Sequence, residues 1–308
     1  MANVGSILGG AFRLFKEQPV AIAIWTVVFA LYGFASSGAA LGGTSAQLAD
    51  LEALRSGAIS PLGMVGAFSL VILLALVFSA VMACAVYRVV LRPDERSFGG
   101  LRLGMDELRM MGLFLILIVA GIFLGLVVGL LLMLVFGGAI AATGGGGGTV
   151  LLIGILYFAM ILACIYVGVR LSLIFPMTFV RKRIAIDEGW ALTRGRFWTL
   201  FLVFLVVFVL MIILYLTAVA PFSGPFLGEM IQAMKNPEAM QSAQAQEAAS
   251  LAAQPLTTMI LLTVLGAIVQ AIGHALNGGA AATAVREFLR DDGEVLDDDI
   301  EATAQIFE

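Results

Sequence analysis

The chain has 308 residues, of which 61% are apolar and 12% charged, with a mean hydropathy of +1.05 and a formal net charge of −4. Soluble domains carry about 25% charged residues, so this composition excludes a soluble globular domain, a fibre and a disordered chain. The two cysteines and the single histidine exclude a disulfide framework and zinc sites built on several His or Cys ligands.

Six apolar stretches are long enough to cross a bilayer as helices. A membrane core about 30 Å thick needs about 20 helical residues. Because the runs are continuous rather than alternating, they exclude a membrane barrel. Several exceed the membrane thickness, which predicts tilt or kinks, and Pro176 is the expected kink in the fourth span. We expect the six spans at residues 20–42, 61–91, 112–142, 149–180, 198–221 and 256–286.

The basic residues predict the orientation of these spans. Fourteen of the seventeen Lys and Arg lie before span one, around the link from span two to span three, between spans four and five, or after span six. Lys and Arg stay on the cytoplasmic side of a membrane, so both termini are expected in the cytoplasm. An even number of spans requires the same. No cleavable signal pattern is visible at the N-terminus, so span one is expected to act as its own insertion signal.

The sequence repeats one pattern three times: an amphipathic segment, two spans and an arginine at the cytoplasmic exit. The apolar faces of the three segments are Val4, Ile7, Leu8, Ala11, Phe12 and Phe15, then Leu101, Met105, Leu108 and Met111, then Ile186, Trp190, Thr193 and Phe197. Spans two and six both end in R-x-x-L-R, and span four has a weaker echo at Arg170. This predicts three degenerate units whose amphipathic helices lie on the cytoplasmic membrane surface. Alternatively, each segment extends the span that follows it.

The ten residues from Gly189 to Trp198, together with Ala11–Phe15 and the Tyr87–Arg92 exit, resemble a bacterial family of six-span proteins. That family is similar to the membrane domain that precedes the catalytic domain of some glycerophosphodiester phosphodiesterases, and it includes stand-alone relatives. The resemblance covers nearly the whole chain and implies a place in the cytoplasmic (inner) membrane of a bacterium. The catalytic domain of the phosphodiesterases is absent from this sequence, so no catalytic residue can be transferred.

The chain divides into a six-span membrane domain, residues 1–290, and an acidic cytoplasmic tail, residues 291–308. Eight carboxylates lie in the tail: Asp291, Asp292, Glu294, Asp297, Asp298, Asp299, Glu301 and Glu308. Runs of this kind are usually solvated. The alternative is that the tail docks onto the cytoplasmic arginines or onto a basic partner.

Span six carries one polar stripe, because Gln270, His274 and Asn277 follow i, i+4, i+7 spacing. Polar groups are costly in hydrocarbon, so this stripe is expected to face the interior of the bundle. The simpler interpretation is hydrogen bonding between helices. The alternative is that His274 carries protons or senses pH.

Span three carries a ridge of small residues at Gly121, Gly125 and Gly129. Small residues at this spacing let helices approach closely. We expect packing within the chain, and the alternatives are an oligomer interface or a pore lining.

Six arginines are candidate contacts for lipid headgroups, because basic side chains at a membrane surface attract anionic lipid. Arg170 lies within span four, where it either snorkels to the interface or lines a cavity and binds a lipid phosphate. The six are Arg88, Arg92, Arg170, Arg194, Arg196 and Arg286.

No enzyme motif is present: G-x-S-x-G, H-E-x-x-H, a Walker loop and C-x-x-C are all missing. We therefore expect a non-enzymatic protein without a cofactor or metal and without a nucleic-acid partner. Its expected role is to organise membrane phospholipid or partner proteins, which include other membrane proteins and copies of itself. The alternative function is a transporter or channel for a small or lipidic solute.

Overall fold

The computed structural model describes residues 3–35, 61–93, 97–143, 146–218 and 256–294. In these ranges the chain is helical and has no strand, as the sequence predicts. A short 3₁₀ turn, Ser97–Gly100, precedes α4. The helices are α1 Val4–Glu17, α2 Pro19–Ala35, α3 Pro61–Leu91, α4 Met105–Thr143, α5 Gly147–Leu171, α6 Ile174–Arg181, α7 Ile186–Leu192, α8 Phe197–Ala218 and α9 Leu256–Asp291.

Five of these helices are long and apolar enough to cross a membrane: α3, α4, α5, α8 and α9. The pair α1 and α2, which meet at an angle of 85°, makes a sixth if it counts as one broken span. A helical fold with five or six membrane-length helices is consistent with a multi-pass membrane protein. Residues 36–42 of the first expected span and 219–221 of the fifth lie outside the described residues.

The bend between α1 and α2 follows from the local sequence. α1 begins with a capping box, in which Asn3 Oδ1 accepts from the Ser6 amide at 2.8 Å and Ser6 Oγ accepts from the Asn3 amide at 3.1 Å. Proline disfavours helical geometry in the residue before it, so α1 ends before Gln18. Pro19 then occupies the first position of α2, where a missing amide hydrogen costs nothing.

The apolar face of α1 packs against protein. Ile7, Ala11 and Leu14 are at most 6% exposed and lie against α8 and α9. Two glycines make the close approach to α9 possible. A Cβ on Gly10 would lie 2.5 Å from the Thr283 side chain, and one on Gly279 would lie 2.6 Å from Leu14.

The second amphipathic segment is the start of α4, which runs without a break to Thr143. Half of its expected apolar face is turned outward, since Met105 is 66% exposed and Leu108 59% exposed, whereas Leu101 and Met111 are partly buried against the core. The most buried positions are Glu107 and Met110. The segment therefore extends the following helix, which is the alternative that the sequence left open. The buried side of the helix is shifted because the Glu107 carboxylate turns inward to a buried arginine.

The fourth expected span is broken four residues before Pro176. α5 ends at Leu171, and α6 begins at Ile174 with Pro176 in its first turn. A proline ring clashes with the carbonyl four residues earlier, which here belongs to Ser172. The kink therefore appears upstream of the proline that causes it.

α9 is the central helix of the core. Its second half is rich in alanine and glycine, and it packs on α1, α3 and α8. The hairpin of α4 and α5 is the opposite case. The most apolar stretches of these two helices bury no residue against the rest of the described chain.

Candidate functional site

One end of the bundle brings together most of the candidate arginines, and we call it the arginine end. It is formed by the last turns of α3, α5 and α9, the first turns of α4 and α8, and all of α6 and α7. Its most buried cation is Arg88, whose side chain is 2% exposed. The Arg88 guanidinium donates to the Glu107 carboxylate at 2.6 Å and to the Gly100 carbonyl. This ion pair joins α3 to α4 in the interior.

The turn before α4 is shaped to meet this arginine. Gly99 and Gly100 have φ values of +67° and +76°, a region that favours glycine. Their carbonyls then accept hydrogen bonds from side chains of two different helices. Trp25 Nε1 donates to the Gly99 carbonyl at 2.9 Å, and the Arg88 guanidinium donates to the Gly100 carbonyl. The turn therefore ties α2 and α3 together.

Arg92 links three helices one turn further on. Its guanidinium donates to Asp106 Oδ2 at 2.9 Å and to the Phe179 carbonyl at 2.8 Å. It also lies over the Phe179 ring, 4.2 Å from the centroid. Asp106 accepts a further bond from Arg109 at 2.7 Å. α3, α4 and α6 are therefore held by one shared network.

Arg170 is also held within the protein. Its side chain donates to Thr193 Oγ1 at 2.7 Å and lies over the Trp190 ring, 4.5 Å from the centroid. The residue is 8% exposed. From the sequence we expected the Arg170 side chain to snorkel to the interface or to bind a lipid phosphate. In the structure it joins α5 to the end of α7.

The first residues of the acidic tail dock on the arginine end. Arg196 donates to both carboxylate oxygens of Asp292, one of them at 3.0 Å. Arg181 donates to the Glu294 carboxylate at 2.8 Å and to Glu188 at 2.7 Å. The Arg196 guanidinium lowers the pKa of Asp292, and the Asp292 carboxylate raises the pKa of Arg196. The rest of the tail, residues 295–308, lies outside the described residues.

The last two candidates differ from each other. Arg286 interacts with other groups of the chain, close to where Ser6 Oγ donates to Glu287 at 2.6 Å and joins α1 to α9. Arg194 is exposed, and its side chain has no ion-pair or hydrogen-bond partner in the described ranges. It lines a shallow cleft of about 500 Å³ together with Ile184, Ile186, Asp187, Trp190 and Ala191.

The exit arginines contact the chain in a recurring way. Arg88 at the end of α3 bonds to Glu107 in the second amphipathic segment. Arg170 at the end of α5 bonds to Thr193 in the third. The end of α9 packs on the first, through Glu287 and Ser6. The ends of α3, α5 and α9 therefore each contact one of the three amphipathic segments.

The polar stripe of α9 is placed halfway along the bundle. His274 is partly buried, with its ring edge-on to Trp25 and Phe29 at centroid distances of 6.3 and 5.6 Å. Its Nε2 atom is buried without a hydrogen-bond partner in the described ranges. Gln270 and Asn277 are exposed. Neither amide makes the expected hydrogen bond to another helix in the described residues.

Three adjoining cavities follow this stripe, and we call them together the α9 crevice. Their volumes are about 420, 410 and 400 Å³. The first two share Phe29, His274 and Asn277, and the last two share Phe208, Met211 and Gln270. The crevice was not visible in the sequence, because its aromatic walls come from α2, α3, α4, α6 and α8. The polar stripe was its only signal.

The glycine ridge of α4 faces open space. A Cβ on Gly121, Gly125 or Gly129 would meet no atom of the described chain within 4 Å. The packing within the chain that we expected is therefore not seen in the described residues.

Among the described residues, no group of three His, Cys, Asp or Glu side chains comes together in a way that could hold a metal ion.

A scan of protein-family models, a search of curated proteins and a search of solved structures each gave no match to this chain. The resemblance to the membrane domain of glycerophosphodiester phosphodiesterases therefore stays a prediction from short motifs.

Proposed function

We propose that this chain is a non-enzymatic protein of the cytoplasmic membrane that organises phospholipid at its arginine end. The observation that carries the proposal is the difference between Arg194 and the other candidate arginines. Arg88, Arg92, Arg170 and Arg196 are bound to other parts of the chain, and Arg286 also interacts within it. Arg194 is exposed and unpaired in the described ranges, so its charge is available to a lipid phosphate.

The surroundings of Arg194 suit a membrane surface. Apolar side chains line its cleft beside the charges, with Ile184 39% exposed and Asp187 on the rim. Trp198, at the start of α8, is 71% exposed. Tryptophan is enriched where a membrane meets water. An arginine at the same level can hold a headgroup while the apolar rim contacts the acyl chains.

Lipid selection in nanodiscs tests this proposal. The protein is reconstituted into a mixture of phosphatidylglycerol and phosphatidylcholine, and the lipids that stay bound after detergent extraction are counted by native mass spectrometry. We expect Arg194→Gln to reduce the amount of retained phosphatidylglycerol about tenfold, because the loss of one charged hydrogen bond weakens binding by about that factor. Arg183→Gln is the matched control, because Arg183 is exposed at the other end of α7 and is paired with Glu188. Equal retention by both variants would contradict the proposal, and co-purification of a foreign subunit in place of lipid would favour a scaffold for proteins.

We also propose the finer architecture on which this role depends. The three-unit repeat is supported by the recurring contact between an exit arginine or its neighbour and the next amphipathic segment. Cytoplasmic termini and six spans are supported by the distribution of basic residues. The bacterial inner membrane is supported by the resemblance alone. Cysteine labelling from either side of sealed vesicles tests the orientation.

Transport of a small or lipidic solute is the second candidate function, and the α9 crevice favours it. Its test is flux in proteoliposomes, with potassium, chloride, protons and a fluorescent phospholipid as the probes. His274→Leu alters the crevice, whereas Gly125→Leu lies on the open ridge of α4 and is the control. Flux that falls in His274→Leu alone would support transport, and no flux of any probe through the wild-type protein would eliminate it.

A further inference from the structure

The α9 crevice exposes polar groups at a depth where a membrane offers them no partner. α9 rises about 1.5 Å per residue, so Asn277 lies about 13 Å and Gln270 about 24 Å from the level of Arg286. Both depths fall inside a hydrocarbon core about 30 Å thick. Burial of an amide in an apolar medium without a hydrogen bond is costly. Something that can hydrogen-bond must therefore meet these two side chains.

Neighbouring helices do not satisfy the two amides. Asn277 donates only to the Gly273 carbonyl of its own helix, at 2.9 Å. Gln270 has no hydrogen-bond partner in the part of the chain that the structure describes. The two amides lie two turns apart on one face of α9 and line the same cavity of about 410 Å³. A single elongated occupant can contact both.

The walls of the crevice define the chemistry of that occupant. No Asp, Glu, Lys or Arg is among the described residues that line the three cavities. A phosphate, carboxylate or ammonium group would find no opposite charge there, and an unpaired ion in a low-dielectric site is strongly disfavoured. Most of the lining side chains are apolar, beside the hydroxyls of Ser79, Tyr87, Ser172 and Tyr215. The aromatic rings among them include Phe29, Phe78, Phe114, Phe175, Phe204 and Phe208. Such walls suit an apolar chain.

His274 contributes one more constraint. Its Nε2 atom is buried without a hydrogen-bond partner in the described ranges. His274 lies between the two amides along α9 and lines the same cavity. A ring nitrogen that carries no proton accepts hydrogen bonds. A hydroxyl can donate to such acceptors.

We propose that the α9 crevice binds an uncharged amphiphile, a lipid with a long apolar chain and a hydroxyl head, whose head pairs with Gln270 and Asn277. The chain lies along the aromatic walls contributed by α2, α3 and α8. This site is separate from the Arg194 cleft and does not depend on the lipid-organising role proposed for it.

Photo-crosslinking tests this site directly. The full chain is reconstituted in phosphatidylcholine nanodiscs with a diazirine-tagged long-chain alcohol, and in parallel with the phosphate monoester of the same chain. We expect the alcohol to label peptides of α8 and α9, and the phosphate ester to label them about tenfold less. Excess unlabelled alcohol should compete with this labelling.

Three variants locate the label. The double variant Gln270→Leu/Asn277→Leu removes both amides, and we expect about tenfold less labelling of α9, the value of two hydrogen bonds. Gly266→Leu fills the third cavity, where a Cβ would meet no atom within 4 Å, and it should reduce labelling without disturbing the fold. Gly125→Leu makes the same change on the open ridge of α4 and should leave labelling unchanged.

Several outcomes would overturn the proposal. These are equal labelling by the alcohol and the phosphate ester, labelling spread evenly over all helices, or labelling that neither crevice variant changes. A crevice filled with water would let a membrane-impermeant maleimide react with the thiol of Asn277→Cys. In that case the alcohol would not slow the reaction. That result would also overturn the proposal, and it would favour a solute path.

Discussion

The arginine end and the α9 crevice treat their polar groups in opposite ways. At the arginine end the buried cations are bound within the chain: Arg88 meets Glu107, and Arg170 meets Thr193 and the Trp190 ring. In the crevice no Asp, Glu, Lys or Arg is among the described lining residues, and the amides of Gln270 and Asn277 have no partner on another helix in the described ranges. The first region is held together by contacts between its own helices, whereas the amides of the second are open to an occupant.

This difference separates structural polar residues from candidate binding residues. A buried polar group that is fully paired stabilises one arrangement of helices. A polar group that is open to hydrocarbon marks a ligand, water or a partner. The same reasoning leaves Arg194 as the arginine most suited to lipid, because its charge is not used within the described chain. Four sets of measurements test this difference between the arginine end and the α9 crevice.

Loss of one partner in the Arg88–Glu107 pair should have the largest effect. Both side chains are at most 3% exposed, so Glu107→Gln leaves a buried guanidinium without its counter-charge. Removal of one member of a buried pair costs about 3–5 kcal/mol. We expect a large fall in the thermal unfolding temperature in detergent, measured by fluorescence.

A second variant checks the cause of that loss. The double change Arg88→Leu/Glu107→Leu removes both charges together, so it should recover a large part of the stability. A single variant as stable as the wild type would show that the arginine end is not held by its ion pairs.

The turn that carries Gly100 should be the next most sensitive point. At φ +76° a side chain is strained, and a Cβ would lie 2.5 Å from the Ala85 carbonyl oxygen. Gly100→Ala therefore displaces backbone, and overpacking of this kind costs about 1–3 kcal/mol. Gly125→Ala is the control with open space around it and should unfold at the wild-type temperature. Equal loss in both variants would contradict the packing of this turn on α3.

Removal of the crevice amides should act in the opposite direction. Gln270→Leu/Asn277→Leu takes two exposed amides out of a hydrocarbon environment, so we expect the empty protein to be as stable as the wild type or slightly more stable. Thermal unfolding in detergent without added lipid measures this. A fall in the unfolding temperature comparable to that of Glu107→Gln would mean that the two amides hold the fold, as the pairs of the arginine end do.

The docked tail should give the smallest effect, and it should depend on pH. Because Arg196 lowers the pKa of Asp292 below its ordinary value of 3.8, their contact is present above that value and is lost as the pH falls through the lower folded pKa. A spin label at Val295→Cys, in a protein whose two native cysteines are replaced, should become more mobile only as the pH falls below 3.8.

Arg181→Gln/Arg196→Gln is the companion variant for the tail. It should make the same label mobile at every pH, because neither Asp292 nor Glu294 then has a guanidinium to meet. A label whose mobility depends neither on pH nor on these two arginines would show that the tail does not dock at the arginine end.

The sequence predicted the elements well and the contacts poorly. Residues 61–91 were expected as one helix, and α3 has these bounds, because a long apolar run in a membrane must be helical. The partners of Arg88 and Arg170 lie 19 and 23 residues further along the chain. No spacing rule joins residues so far apart, so the inward turn of Glu107 on α4 could not be predicted. The kink of Pro176 was expected, but its position four residues upstream comes from the clash with Ser172.

The candidate site was predicted in the same uneven way. Gln270, His274 and Asn277 were identified from their spacing on one helix, which is a local property. Whether that face meets another helix or a cavity depends on the side chains that α2, α3 and α8 bring to it. For the same reason, the glycine ridge of α4 appeared suited to packing until its surroundings were known.

Native mass spectrometry of the protein, released directly from its own membrane, tests the central claim that the α9 crevice has an occupant. We expect an uncharged lipid adduct on the wild-type protein and on Arg194→Gln. The same adduct should be absent from Gln270→Leu/Asn277→Leu. A wild-type protein without any uncharged adduct, or an adduct that the double variant keeps, would contradict the account.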